Sequence, residues 1–228
     1  MICPYYIVSV LIRNKKNLGL ASSLNRCFMK STGSLIARMD ADDLCMPQRF
    51  ERQKAFLKTH PEYDLVGSRM IMLDDYGKQT YSKAKKVPTT DVFPLQVPFA
   101  HPTVLMHRYV LEQLGGYSVE KYTRRCEDLE LWYRFFYLGF KGYNMPDYLY
   151  IKIQGLEDYR KRKVVHGCEM LWIHIRGLRM LRAPFYKYLL AVKPIISAMI
   201  PKRLMMKYHS IVFRKPGRRI VKYDRRYK

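Results

Sequence analysis

Three acids stand close together in Asp40-Ala41-Asp42-Asp43, directly after the apolar run Leu35-Ile36-Ala37-Arg38-Met39. Carboxylates spaced this way suit a hard divalent cation, because Mg²⁺ or Mn²⁺ is commonly held by one or two carboxylates and completed by phosphate oxygens. Such an ion neutralises charge on a departing diphosphate. The same acids serve equally well as caps for a helix that follows. A second pair opens the run Cys126-Glu127-Asp128-Leu129-Glu130-Leu131-Trp132. A hydroxyl is a poor nucleophile at neutral pH, and a carboxylate positioned there would accept its proton during attack. Capping and the helix dipole also account for acids in a first turn without any chemistry. His101, before Pro102, reads as a loop histidine, and Trp132 and Tyr133 read as core aromatics at helical spacing.

The elements that must carry these residues follow from apolar periodicity. Tyr6 to Ile12 is a β-rich apolar run and predicts a buried strand, followed by a polar loop from Arg13 to Gly19. Leu20 to Met29 has helical spacing, with Leu20, Leu24 and Cys27/Phe28 on one side, and Thr32-Gly33 ends it. Ser34 to Met39 predicts a short strand that stops at the acids. In an open parallel sheet, ligands gather at such carboxyl ends. Pro47 starts the next helix, which runs to His60-Pro61. Asp64 to Leu73 predicts a strand, and Asp74 to Pro98 is loop-like with a hairpin signal at Asp75-Tyr76-Gly77. Then come a strand over Thr103 to His107, a helix over Arg108 to Leu114, a turn at Gly115-Gly116 and a helix over Glu127 to Leu138. This alternation predicts an α/β sandwich with a largely parallel sheet.

The chain has 228 residues, which fits one α/β domain plus an appendage, and 48% hydrophobic residues are enough to build a core. Its net charge of +23 is uneven: from Gly155 onward, 20 Lys+Arg against 4 Asp+Glu leave +16. A region so basic calls for an anionic partner. Tyr159 to Leu181 predicts a basic amphipathic helix, and Pro184, Pro194 and Pro201 divide the rest into short apolar-basic segments. Basic residues Arg160 to Lys163, Arg176, Arg179 and Arg182 alternate with Leu171, Trp172, Ile175 and Leu178, the pattern of a helix lying on anionic lipid. A nucleic-acid partner is not expected, since no helix-turn-helix, zinc-finger or RRM signature accompanies the charge. The five cysteines contain no CxxC pair, so neither a disulfide framework nor a zinc site is expected, and scattered thiols fit a reducing cytoplasm.

The motifs in order resemble glycosyltransferase family 2. They are Asn17-Leu18-Gly19-Leu20-Ala21-Ser22-Ser23-Leu24-Asn25, Ala37-Arg38-Met39-Asp40-Ala41-Asp42-Asp43 and Pro47-Gln48-Arg49-Phe50-Glu51-Arg52-Gln53. Val66-Gly67, His101-Pro102-Thr103, Gly115-Gly116-Tyr117 and Glu127 to Arg134 complete them. The resemblance spans about residues 13–150. It implies the GT-A fold and transfer of a sugar from a nucleoside-diphosphate donor to a saccharide or lipid-linked acceptor, with inversion, as in envelope polysaccharide synthesis. By resemblance, Asp40 and Asp42 meet the donor and its Mn²⁺ or Mg²⁺, and Asp43 supports their loop. Asp128 is the base with Glu127 as its partner, while Asn17, Gly19 and Asn25 lie beside the nucleotide.

The implied organisation is a GT-A-like domain over residues 1–154, shortened at its N-terminus, and a basic helical membrane-associated region over 155–228. The family pattern opens with a strand-helix-strand unit, whereas here one apolar strand leads straight to Arg13-Asn14-Lys15-Lys16-Asn17, so part of the base-binding wall is expected to be missing. The expected location is cytoplasmic, peripheral on the inner face of the cell membrane. Two other readings stay open at this point: an inactive remnant acting as a membrane-bound scaffold, and a basic nucleic-acid-binding protein.

Overall fold

The computed structural model describes residues 9–74, 77–154 and 164–199. Tyr6 to Val8, the basic run Arg160 to Lys163, Asp75-Tyr76 and everything from Ile200 onward lie outside the described residues. Among the described residues the elements run α1 (Leu20–Lys30), β1 (Leu35–Ala37), β2 (Leu44–Cys45), α2 (Arg49–Thr59), β3 (Leu65–Asp74) and β4 (Gln79–Tyr81). They continue with β5 (Leu105–His107), α3 (Arg108–Gln113), α4 (Glu127–Tyr137), β6 (Gly142–Gln154), α5 (Val164–Met180), α6 (Tyr186–Leu190) and α7 (Lys193–Met199).

The fold class is α/β as expected, but the sheet is not largely parallel. Its order is β1-β5-β3-β6-β2, with β4 also on β3, and only the β3–β6 pairing is parallel among the described strands. Parallel neighbours need a long crossover, and β3 and β6 have one that contains α3 and α4. The β3–β4 link is a short hairpin, closed where Asp74 N–H donates to Lys78 O at 3.1 Å, and short links make antiparallel pairs. The hairpin signal thus falls where a hairpin lies. The described part of the expected first strand, Ser9 to Ile12, forms no strand and leaves Leu11 93% exposed. A strand needs a neighbour for its backbone groups, and no described strand offers one there.

Alternate residues of β3 and β5 feed two cores. Leu65 and Met106 face one side with Phe99, Leu131, Trp132 and Phe135, while Val66 and Leu105 face the other with Leu57 and Leu149. Helix α1 enters the first core through Ala21, Leu24 and Phe28, while Leu20 and Cys27 stay exposed, so its buried face is rotated from the expected one. Helix α5 belongs to that core too. Ile173 and Leu178 pack in it, and Gly177 lies so close to the Tyr133 ring that a Cβ there would stand 2.2 Å from it. The Tyr133 hydroxyl and His174 Nδ1 share a hydrogen bond of 2.8 Å. The described start of the basic C-terminal region is therefore packed on α4.

Candidate active site

The acids at the end of β1 sit in a loop with almost no regular structure, and β6 holds it in place. Tyr150 Oη donates to Asp43 Oδ2 at 2.8 Å and accepts the Asp40 backbone N–H at 3.1 Å. The Ile153 N–H donates to Asp43 Oδ1 at 2.9 Å. Burial pushes the Asp43 carboxyl above its usual range, and these bonds from Ile153 and Tyr150 pull it back in part. Pairing of β2 with β6 closes the loop on its other side. Asp43 thus supports the loop, the part the resemblance implied for it.

Helix α2 braces the same loop from beneath. Arg49 is fully buried, and its Nη2 donates to Arg38 O at 2.9 Å and, more weakly, to Val104 O at 3.4 Å. Its Nε donates to Gln53 Oε1 at 3.1 Å, and Gln53 Nε2 in turn donates to Val66 O at 3.1 Å and Thr103 O at 2.8 Å. The guanidinium also lies over the Tyr150 ring, 5.1 Å from its centroid. Two polar side chains one helical turn apart therefore fix the ends of β1 and β5 and the start of β3. This gives the segment Pro47 to Gln53 a structural purpose.

The opposite wall is the start of α4. Its approach is pinned where Thr123 Oγ1 donates to Glu120 O at 2.8 Å, and Arg125 takes a left-handed φ of 65° just before the helix. Asp128 Oδ1 accepts the Leu129 N–H at 2.8 Å. Burial raises the Asp128 carboxyl well above the usual carboxylate range, with a smaller push from Glu127. Glu127, 8% exposed, makes no hydrogen bond or ion pair among the described residues.

These two walls enclose a cleft of about 570 Å³. Asp40, Glu127 and Asp128 line it together, although 88 positions separate Asp40 from Asp128. Asn17 and Gly19 line it as well, with Asn17 Oδ1 accepting the Gly19 N–H at 2.9 Å. Gly19 has a φ of +83°, a backbone state that favours glycine. Asn25 does not reach the cleft: its amide is taken up by the turn after α3, donating to Tyr117 O and accepting Tyr117 N–H, each at 2.8 Å. Gly116 lies against it, where a Cβ would be 2.7 Å from Asn25 Oδ1. The donor-side placement expected for Asn25 is therefore replaced by a structural one.

Four cations also line the cleft: Arg38, Arg124, Arg125 and Lys152. Arg38 Nη2 pairs with Asp40 Oδ1 at 2.5 Å. His101 completes the floor, sharing a 2.8 Å hydrogen bond between Nε2 and Tyr117 Oη. Burial, helped by the Arg38 charge, pushes His101 down to about 3, so it is neutral at ordinary pH. Among the described residues no three His, Cys, Asp or Glu side chains form a ready metal cage. Asp40 lines the cleft, and Asp42, exposed on the same loop, makes no hydrogen bond or ion pair among the described residues. Two such carboxylates fit a cation that arrives with phosphate oxygens and do not fit a resident all-protein site.

Over 199 residues the chain is 37% identical to EpsE of Bacillus subtilis, a protein named as a glycosyltransferase; the match covers 87% of this chain and 72% of that one. The chain belongs to glycosyltransferase family 2. The family model, Glycosyl transferase family 2, matches residues 3–115. The amylovoran biosynthesis glycosyltransferase AmsE of Erwinia amylovora is 34% identical over 159 residues, covering 68% of this chain and 58% of AmsE. A solved mannosyltransferase, PcManGT of Pyrobaculum calidifontis in complex with GDP-Man and Mn²⁺, superposes with a TM-score of 0.54 at 16% identity. That match covers 89% of this chain and 62% of PcManGT. The chain therefore spans between about three fifths and three quarters of the length of these relatives. The fold is of the GT-A type, and the chemistry of the class is sugar transfer.

Within this glycosyltransferase, the motif reading missed Arg38, Arg124, Tyr150 and Lys152. Arg38 had a signal: a charge inside the apolar run Leu35 to Met39 has to be answered by something. Tyr150 and Lys152 had none, because nothing local distinguishes a tyrosine that bonds a loop 110 positions earlier.

Proposed function

We propose that this chain transfers a sugar from a nucleoside-diphosphate sugar to a hydroxyl of a saccharide or lipid-linked acceptor, with inversion, in the synthesis of an envelope polysaccharide. The observation that carries this reading is one cleft lined by both Asp40 and Asp128, the latter an acid made more basic by desolvation. The acceptor oxygen attacks the anomeric carbon, its proton passes to Asp128, and the bond to the diphosphate breaks on the opposite face. Attack and departure on opposite faces give inversion. Arg124, Arg125 and Lys152 supply positive charge for the diphosphate. Asp40 and Asp42 would hold a Mn²⁺ or Mg²⁺ ion, whose chemistry there is to neutralise charge on the leaving group. The occurrence of relatives such as AmsE in polysaccharide biosynthesis supports the biological setting.

The reading includes an anionic membrane surface. No described helix is long and apolar enough to cross a membrane. Trp172, Phe185, Leu189 and Ile196 are nevertheless exposed in the stretch 164–199, which also exposes Arg176, Arg179 and Arg182. Aromatic and aliphatic groups flanked by cations suit the interface of an acidic lipid surface, here the cytoplasmic face. Co-sedimentation with vesicles containing phosphatidylglycerol, and none with neutral vesicles, is the expected result.

The core of the proposal is tested by calorimetric titration with UDP and GDP, with and without Mn²⁺. Metal-dependent binding that is lost in Asp42→Ala is expected. A folded chain that binds neither nucleotide overturns the reading.

A further inference from the structure

The stretch from Lys83 to Ala100 is almost without regular structure. Its last residues wall a second cavity of about 360 Å³, where Val97, Pro98 and Ala100 stand with His101, Asp128 and Lys152. The latter three line the larger cleft as well. The position of this loop therefore sets the space open to whatever approaches Asp128 from that side.

Three sets of groups hold the loop. Strand β6 fixes its two ends, where Asn144 Nδ2 donates to Lys85 O and to Pro98 O, each at 2.9 Å. Phe93 sinks into the core and stacks on the Tyr133 ring, with centroids 4.0 Å apart. The backbone on either side of Phe93 is held from the C-terminal helices. Lys187 Nζ, on α6, donates to Thr90 O at 2.9 Å and Asp91 O at 3.2 Å. Lys193 Nζ, at the start of α7, donates to Leu95 O at 3.0 Å. Lys187 is 8% exposed, and no carboxylate pairs with it among the described residues. A lysine is seldom so buried without an acid, and a desolvated ammonium is tolerated only through the bonds that it makes. Here those bonds go to the loop.

The same two short helices carry exposed apolar groups. Tyr186 and Leu189 flank Lys187 on α6, and Ile196 follows Lys193 within one turn of α7. We infer that Lys187 and Lys193 are positioning residues, through which contact of α6 and α7 with an anionic lipid surface fixes the loop wall beside Asp128. This rests on the membrane reading above and goes beyond it, since the surface that carries the enzyme also steadies one side of its catalytic cavity. A surface that restrains two helices restrains what they hold, and the entropy of ordering the loop is then already lost.

The test is hydrogen exchange of the backbone amides from Val92 to Ala100 in the full chain, free and bound to phosphatidylglycerol vesicles. It compares wild type with Lys187→Met and Lys193→Met, which keep the aliphatic stem and remove the ammonium. In wild type the vesicles are expected to slow exchange of these amides by about tenfold, the effect of one or two hydrogen bonds held closed. Both variants are expected to bind the vesicles and to keep slow exchange in β3, which shows that they are folded, and to lose the slowing in the loop. A lysine that only added stability would speed exchange alike with and without vesicles. Equal slowing by vesicles in wild type and both variants overturns the inference, as does a vesicle-bound wild type whose loop exchanges as fast as in the free chain. A wild type that does not bind the vesicles overturns the membrane reading and the inference with it.

Discussion

Asp43, buried, and Asp128, half-buried, are both acids whose carboxyl pKa is raised by desolvation, and they behave as opposites. Both oxygens of Asp43 accept a hydrogen bond from β6, which ties the carboxylate to the fold. Asp128 accepts one, from its own helix, and otherwise faces the cleft. Burial alone therefore does not mark a reacting carboxylate. What separates the two is whether the surrounding chain has already used the oxygens. The acidic loop is a braced wall, and the mouth of α4 is an open one.

The sharpest way to break this comparison is Asp128→Asn. Turnover is expected to fall by about 10²–10⁴-fold, the usual contribution of a general base, with nucleotide binding kept. Its stability near neutral pH should be no lower than wild type, because ionising a carboxyl of raised pKa works against the folded state. A rate assay beside a urea melt checks both, and a variant as active as wild type removes Asp128 from its role. On the braced side, Arg49→Leu should cost about 3 kcal/mol in urea unfolding, since it leaves carbonyls of Arg38 and Val104 and the Gln53 amide without their buried donor. Tyr150→Phe deletes both the bond to Asp43 and the one from the Asp40 N–H, and should cost about 2 kcal/mol and weaken Mn²⁺-dependent nucleotide binding. Equal stability to wild type would mean that the loop is not held by β6.

The smallest effect is the pH dependence of turnover. The base must be ionised, and its pKa is raised, so activity is present above that pKa and lost as pH falls through it. The loss begins at a higher pH than for an ordinary carboxylate and follows about tenfold per pH unit, or about 1.4 kcal/mol. A profile flat down to the ordinary carboxylate range would refute a raised pKa for the base at Asp128.

Much of the open wall was legible in the sequence. Glu127 and Asp128 stand before a helix whose apolar side is unambiguous, and α4 starts at Glu127 as its periodicity predicts. The acids at 40, 42 and 43 were equally visible, but their division of labour was not, because it depends on β6. That strand was missed altogether. Pro146-Asp147 interrupts its alternation, and the pairing with β3 shifts register at that place, between Ser68 and Met70. A period-two pattern broken by a bulge does not register as one element. Asn25 failed for the converse reason: a motif position next to a ligand-binding segment has its amide aimed at a turn 92 positions away.

The dependence of the acidic loop on β6 also governs the order in which the molecule can become competent. During synthesis the string Asp40 to Asp43 emerges early, but the tyrosine and the backbone N–H that shape it arrive about 110 residues later. Contacts so distant in sequence form late and slowly. A fragment ending at residue 115, the limit of the family match, would carry the acidic signature without Asp128, Lys152 or Tyr150. Such a piece would be recognised by its motif and would have no site. In this chain the cleft is finished only when the thirteen-residue β6 is laid beside β3.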